Sequence, residues 1–517
     1  MTEQNGARLA ADILKERGPG VVFGYPGAAV LELFDALVRS GLRVVVPAHE
    51  QGGIFAADGF ARMTGRAGVV AATSGPGATN LVTGLANAFM DSVPLVAVTG
   101  NVPSDLIGRD SFQEVYVAGI TVPVTKHNFV VRRPEELEEI LLSAFDIAES
   151  GRPGPVLVDI PRDVSAAPNA RKGVSFPARP LPFPTEGELE AAAERINAAR
   201  RPLVLAGGGV CRSGAGAALE AFLKAGALPC AHTLMAEGLL GEGPLNLGLC
   251  GVYGTPAAGR AMRECDLLIA VGTRFSDRVV PDRSLFEGRA VLHLDVDEAE
   301  INKNVRADGL LGEAGALLAA LTPRLCPHPA WTAPDPPGEE DFPLAAVRLI
   351  QRRFPEAVFT TDVGQHQMWA AKALRGRLNG FLTSGGLGAM GYGLGAAIGA
   401  KLARPDLPVV HLTGDGSFHM NCAELSTAAR EGLDLLTVVF DNRRLGLVRQ
   451  LQKTALGGRY ACTAVERPTD YVRLAEALGG RGRRARSLPE LDAALQEAAG
   501  TKGPFVIWLE IDPEADV

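Results

Sequence analysis

Short runs of Val, Ile and Leu without polar alternation recur along this chain, and each is closed by a glycine-rich or polar phrase. The first stretch carries "GVVFGYP", "RVVVPA", "AGVVAATSG", "PLVAVTGN" and "GPVLVDIP". The middle carries "PLVLAGGG", "DLLIAVG" and "AVLHLDVD", and the last "AVFTTDVG", "LPVVHLTGDG", "LLTVVFDN" and "FVIWLEID". Strands that are apolar on both faces need cover on both faces, which is the situation of parallel strands flanked by helices. Helical patterns separate the runs, so the expected class is α/β with doubly wound parallel sheets. Ligands bind such sheets at the carboxyl ends of the strands, where the glycines and polar residues gather here.

Two proline-rich stretches, "AAPNARKGVSFPARPLPFP" and "TPRLCPHPAWTAPDPPGEE", divide the 517 residues. Proline interrupts helix and inner strand alike, so both read as connections. The expected domains are 1–165, 186–322 and 341–517, in line with the length. A net charge of −8 argues against a nucleic-acid or anionic-membrane surface. No charge-free run of about 18 apolar residues occurs, and the nearest case, "GGLGAMGYGLGAAIGA", is too short and too rich in glycine to span a membrane. The seven cysteines show no C-x-x-C pairing, and no secretory signal opens the chain, so the expected location is the cytoplasm.

In "HLTGDGSFHM" an acid, Asp415, stands between two glycines at the end of an apolar run. Bare glycines let the backbone turn sharply and approach a ligand, and a carboxylate there can hold a hard cation. One helix later the next strand ends at Asn442, a second oxygen ligand. Mg²⁺ takes few protein ligands and fills its octahedron with water and phosphate oxygens. This pair, at this separation, resembles the signature of thiamine-diphosphate (ThDP) enzymes. The resemblance implies Asp415, Asn442 and the carbonyl of Arg444 as Mg²⁺ ligands, although Asp441 replaces the Asn usual before Asn442. It also implies cofactor contacts from Gly414, Gly416, Ser417, Leu445, Gly446 and Leu447. "TTDVGQHQMWAA" and "SGGLGAMGYGLGAAIGA" are similar to the acetohydroxyacid (acetolactate) synthase family within that class. They imply Gln365 and His366 at the diphosphate, and Met390 as the wedge under a bent cofactor.

"VPAHEQGGIFAADGFAR" puts Glu50 just after a strand, at a helix start, where a carboxylate meets the helix dipole. The phrase also resembles the first-domain signature of the ThDP enzymes. There a Glu hydrogen-bonds N1′ of the aminopyrimidine and favours the tautomer that deprotonates thiazolium C2. "ATSGPGATN", "GRDSFQEV" and "TKHNFV" follow the same family's phrasing, which implies Phe112, Gln113 and Lys126 near the substrate channel. Glu50 and Asp415 lie in different domains. The family resemblance implies that they meet across a subunit interface, in a homodimer or homotetramer with shared sites, with a small regulatory subunit as a further candidate partner.

The middle block's "PLVLAGGGVCRSGA" is by itself a weak dinucleotide signal, because G-x-G-x-x-G is not met. Its neighbours "GTRFSDRV" and "LHLDVDEAEINKN" track the family's FAD domain. This implies FAD, with Gly208, Arg274 and Asp295 toward it and Arg152 reaching it from the first block. Leu249-Cys250-Gly251 stands where the family often has Met-His-Gly.

The implied reaction decarboxylates pyruvate and joins it to a second 2-oxo acid, giving 2-acetolactate for branched-chain amino acid synthesis. Leu451 in "GLVRQLQ" stands where biosynthetic members carry a Trp that favours 2-oxobutyrate, which implies a weaker preference. The chain ends at "EIDPEADV", where family members usually continue with a tail that closes over the site. Two alternatives stay open: another ThDP-dependent 2-oxo-acid decarboxylase or carboligase, and an FAD-using pyruvate oxidase.

Overall fold

The computed structural model describes residues 4–176, 180–336, 340–374 and 380–517. Three six-stranded sheets carry the fold, and every described strand pairing is parallel. In the first, β1 (Val21–Tyr25), β2 (Arg43–Val45), β3 (Gly68–Ala72), β4 (Leu95–Asn101), β5 (His127–Val130) and β6 (Pro155–Pro161) lie in the order β2-β1-β3-β4-β6-β5. In the second, β7 (Pro202–Ala206), β8 (Cys230–His232), β9 (Asn246–Leu249), β10 (Leu267–Val271), β11 (Ala290–Asp295) and β12 (Asp308–Leu311) lie in the order β12-β11-β10-β7-β8-β9. The third sheet takes β13 (Val358–Thr361), β14 (Phe381–Thr383), β15 (Val409–Gly414), β16 (Leu436–Asp441), β17 (Arg481–Ala485) and β18 (Phe505–Glu510) in the order β14-β13-β15-β16-β18-β17.

Each sheet reverses direction once, as a doubly wound sheet does. The first and third share one strand order. The second has the order of the dinucleotide-binding fold, with its switch point between β7 and β10. All twelve apolar runs form strands. Six strands were not anticipated: β5, β8, β9, β12, β14 and β17. They are sheet edges or, for β8, next to one, and they lack the uniform apolar run of a central strand; the pattern of β17, Arg481–Ala485, is largely exposed.

The described residues form two compact units, one built on the first and third sheets and the other on the second. In the first unit, helix Glu50–Thr64 lies flat against helix Tyr392–Ala403. Glycines make that approach possible: a Cβ on Gly59 or Gly399 would run into the backbone of Ala396 or Ala56. Residues from both halves, such as Ile54, Phe60, Ile398 and Leu435, then share one core. Among the described residues no helix is long and apolar enough to cross a membrane. All seven cysteines are free; four are buried, while Cys326 and Cys462 are exposed.

Candidate functional site

Three turns at the carboxyl end of the third sheet, after β13, β15 and β16, bring the predicted phosphate and metal residues together. β15 ends at Gly414, and Asp415 opens the helix Asp415–Asn421, only 3% exposed. Burial, with the charge of Asp441 second, pushes the Asp415 carboxyl up to about 7. An acid held this way gains from a cation. Ser417 Oγ donates to the Val363 carbonyl at 3.0 Å, fixing the turn against the end of β13. After β16, Asn442 Oδ1 accepts the Arg444 amide at 3.1 Å, and its Nδ2 donates to Gln365 Oε1 at 3.0 Å. Arg443 stands between them at φ +57°, which turns the chain back. Gly446 leaves room for the Gln365 amide, which a Cβ there would overlap.

Gln365 and His366 begin the helix Gln365–Ala373. His366 is buried, and burial lowers its imidazole to about 4, so the ring is neutral at physiological pH. Its Nε2 is buried without a hydrogen-bond partner, and its Nδ1 lies 2.9 Å from where a Cβ on Gly414 would sit. A partnerless ring nitrogen and an acid whose ionisation burial opposes, at one glycine turn, fit a metal-bound phosphate. Among the described residues no three His, Cys, Asp or Glu side chains gather to hold a metal alone. The donor set of one carboxylate, one amide and a carbonyl therefore suits a cation whose remaining ligands come from phosphate and water.

Asp362 organises these turns. It accepts from Thr413 Oγ1 at 2.6 Å, from the Gly393 amide at 2.7 Å and from His411 Nε2 at 3.2 Å. Burial pushes its carboxyl up, but His411 and these donors outweigh it and hold the group below the usual range. Asp362 thereby joins the ends of β13 and β15 to the helix that follows Met390. The Met390 loop is tied on its other side to the first sheet's helices. Arg62 pairs with Asp58 at 2.6 Å and with Asp91 at 2.9 Å, and Asp91 accepts the Gly386 amide at 2.7 Å. Met390 itself is half-buried, its Cε 3.7 Å from where a Cβ on Gly416 would sit.

Glu50 opens the helix Glu50–Thr64 in the first-sheet half of this unit. It is half-buried, Asn80 Nδ2 donates to its Oε2 at 2.9 Å, and its Oε1 lies 3.3 Å from where a Cβ on Gly77 would be. Gln113, at φ +59°, packs over Gly75 of the same turn. Phe112 beside it is 87% exposed. Lys126 is committed elsewhere: its Nζ donates to the carbonyls of Ile147 and Ser150, capping helix Leu137–Glu149. That is an ordinary place for a cation, at a helix C-terminus. Arg152 Nε donates to Ser92 Oγ at 2.9 Å.

The segment after β18 supplies cover that the sequence did not suggest. Gln365 Nε2 donates to the Ala515 carbonyl at 2.7 Å, Glu514 pairs with Arg449, and Lys453 pairs with Asp516 at 2.5 Å. Residues 514–516 thus lie on Gln365 and on helix Gly446–Ala455, which carries Leu447 and, 51% exposed, Leu451. Leu445 precedes that helix and bonds the Thr463 carbonyl through its amide at 2.8 Å.

In the second unit the glycine turn after β7 is packed against the end of β10. A Cβ on Gly209 would sit 2.7 Å from Gly272 Cα, and one on Gly208 would lie 3.0 Å from Met235 Cβ. Asp295 ends β11, 8% exposed, and accepts the Asp297 amide at 3.0 Å. Buried His293 meets the Thr273 carbonyl through Nε2 at 2.9 Å and leaves Nδ1 without a partner. Arg274 is half-buried and is followed by Phe275 at φ +51°. Phe275 is thus a strained residue just past β10, at the switch point where a sheet of this order binds its ligand.

Comparison with known proteins matches all three regions. Residues 4–120 match the family described as thiamine pyrophosphate enzyme, N-terminal TPP binding domain. Residues 189–321 match its central domain and residues 362–509 its C-terminal TPP binding domain. The chain is 44% identical to the acetolactate synthase isozyme 2 large subunit of Escherichia coli K12, over 98% of this chain and 96% of the relative. It is 41% identical to a probable acetolactate synthase large subunit of Methanocaldococcus jannaschii, over 98% and 92%. It is 42% identical to an acetolactate synthase of Mycobacterium bovis, over 100% and 90%.

Proposed function

We infer that this chain, which belongs to the thiamine pyrophosphate enzymes and within them to the acetolactate synthase large subunits, condenses pyruvate with a second 2-oxo acid and releases CO₂. The product from two pyruvates is 2-acetolactate. The observation that carries the reading is the turn where Asp415, Asn442, Gln365 and His366 converge, with an acid raised to about 7 and a buried ring nitrogen unmet. When bound, ThDP would supply a nucleophilic carbon for the pyruvate carbonyl and an electron sink for the pair that departing CO₂ leaves on the former carbonyl carbon, the carbon that joins the second acid.

This chain's residues bind, orient and move protons. Asp415, Asn442 and the Arg444 carbonyl would hold Mg²⁺, with Gln365 orienting Asn442. Gly414, Gly416, Ser417, Leu445, Gly446 and Leu447 would shape the diphosphate turn, and neutral His366 would donate to a phosphate oxygen. Met390 would support the cofactor from a loop that Asp91 and Asp362 hold from two sides. Glu50, oriented by Asn80, would exchange a proton with the aminopyrimidine. Gln113, Phe112 and Leu451 would face the substrate; Lys126, already a helix cap, is left out of that set.

We place FAD in the middle domain, with Gly208, Arg274 and Asp295 toward it, supported by the strand order of that sheet. Domains at 1–165, 186–322 and 341–517, a homodimer or homotetramer with shared sites, a small regulatory subunit and a cytoplasmic location complete the reading. The relatives' description as large subunits supports the regulatory partner.

The test incubates purified protein with ThDP, Mg²⁺ and pyruvate, with and without FAD. Acetolactate, converted by acid to acetoin, is the expected product. Acetaldehyde or acetate in its place would overturn the synthase reading in favour of a decarboxylase or an oxidase.

A further inference from the structure

The backbone just before Glu50 is held by a carboxylate from the other half of the same unit. Glu424 opens the helix Glu424–Arg430, which follows the helix that Asp415 begins. Its Oε1 accepts the His49 amide at 3.0 Å, and its Oε2 accepts the Ala48 amide at 3.1 Å. Thr427 Oγ1 donates to Glu424 Oε2 at 2.6 Å and itself accepts the Ala48 amide at 3.0 Å. The same helix reaches further along the strap: Arg430 donates to the Val46 carbonyl at 2.9 Å, and Arg43 pairs with Glu431 at 2.9 Å. Residues 43–49 are thus held along one helix, and the tightest point lies beside Glu50.

The sequence is built around this contact. Gly52 faces the Glu424 carboxylate, and a Cβ there would overlap it. Glu424 is 1% exposed, so its oxygens have no water to fall back on if the amides move. His49 stays extended at φ −147°, which sets the angle at which the helix carrying Glu50 begins.

We propose that Glu424 is a positioning residue for Glu50: by fixing two consecutive amides ahead of the helix, it aims the Glu50 carboxylate. The proposal rests on the reading of Glu50 given above. Glu424 acts through the Ala48–His49 backbone, the two amides that its carboxylate accepts.

Glu424→Gln preserves volume but replaces one acceptor oxygen with an NH₂ that faces a backbone N–H. Three quantities are read on the full-length protein: ThDP affinity, amide hydrogen exchange of the peptide spanning residues 46–52, and the rate at which C2–H of bound ThDP exchanges with D₂O. Glu50→Gln serves as the reference. Expected for Glu424→Gln are faster exchange at Ala48 and His49, a C2–H rate lowered about tenfold, and ThDP affinity close to wild type. Thr427→Val, which removes only the hydroxyl from the same cluster, should move the same readouts in the same direction and replaces Glu424→Gln if that variant does not fold. A wild-type C2–H rate in Glu424→Gln (or in its Thr427→Val replacement), beside a slowed Glu50→Gln, overturns the proposal and leaves the role of Glu50 standing. Equal losses of affinity and C2–H exchange also overturn it, because they mark a merely structural role. A Glu50→Gln protein with a normal C2–H rate overturns the reading of Glu50 and the proposal with it.

Discussion

The first and third sheets share one strand order, yet their equivalent strand ends carry different chemistry. After the central strand β15 comes Gly414-Asp415-Gly416; after its counterpart β3 comes Gly75-Pro76-Gly77, leading to uncharged Asn80. After β13 come Gln365 and His366; after β1 comes "PGAA". The acid of the first sheet follows β2 at the edge, where the third sheet has β14 and the Met390 loop. One architecture thus serves twice. In one copy the central turns are polar and suited to phosphate and metal. In the other they are bare, and a single carboxylate enters from the side. Equal topology fixes where loops converge; the residues at the turns decide what each crevice can hold.

The comparison breaks first at Asp415. Loss of a group that only hydrogen-bonds a metal ligand costs about 10–100-fold, so Asp415→Asn, which removes the proposed ligand itself, should cost at least about a thousandfold in activity at fixed Mg²⁺. The same change should raise the melting temperature of cofactor-free protein at pH 8, because a buried carboxylate no longer has to ionise. The sign follows from a folded pKa of about 7 against 3.8 unfolded. Asp415 then contributes stability below the unfolded value and loses it as pH rises through about 7. Mg²⁺ demands the ionised form, so Mg²⁺–ThDP affinity should climb with pH up to about 7 and flatten above it. A pH-independent affinity between 5 and 8 would mean that Asp415 does not hold the metal.

Glu50→Gln sharpens the contrast. It should lower turnover by roughly 10²–10³-fold, the scale of general acid–base catalysis, while the protein still retains ThDP. Two crevices with separate tasks predict this separation of binding from activation. Equilibrium dialysis of the cofactor checks it, and loss of ThDP from Glu50→Gln would show that the two sets of turns do not divide the work.

How much of this was legible in sequence follows the same division. Central strands announced themselves because both faces are buried, while "NLGL", "DGLL" and "RGRRA" were missed because an edge strand needs no uniform apolar run, and "CAH" because three residues are too few to show one. Residues in special backbone settings were equally visible: Asp415 between glycines, Asn442 at a strand end, Glu50 at a helix start. Their supports were not. Asn80 ended a phrase read only for its family resemblance. Asp362 and His411 lay inside runs read as strands. Glu424 looked like ordinary helix surface, since its partners are 375 and 376 residues away in sequence. A buried hydrogen bond across that separation leaves no local pattern.

Gln365 tests the support of the metal set at a smaller scale. It accepts from Asn442 and donates to Ala515, so it orients a ligand on one side and holds the last residues on the other. Gln365→Ala should weaken Mg²⁺–ThDP affinity about 10–100-fold, as loss of an outer-shell partner does. Limited proteolysis should then release residues 512–517 faster than in wild type. An unchanged cleavage rate would show that the Arg449–Glu514 and Lys453–Asp516 pairs hold the segment without Gln365.

The smallest effect belongs to Leu451. It is half exposed on the helix that begins at Gly446, one turn on from Leu447 and outside the buried set. An aliphatic side chain there offers a second substrate less contact area than an aromatic one, and a single added contact in an apolar pocket is worth about 1–3 kcal/mol. Leu451→Trp should therefore raise the ratio of 2-oxobutyrate to pyruvate used as acceptor by about tenfold, with total turnover nearly unchanged. A competition assay with both acids present reads the ratio directly. If the ratio stays fixed, Leu451 does not face the acceptor, and Phe112, exposed beside Gln113, is the next residue to exchange.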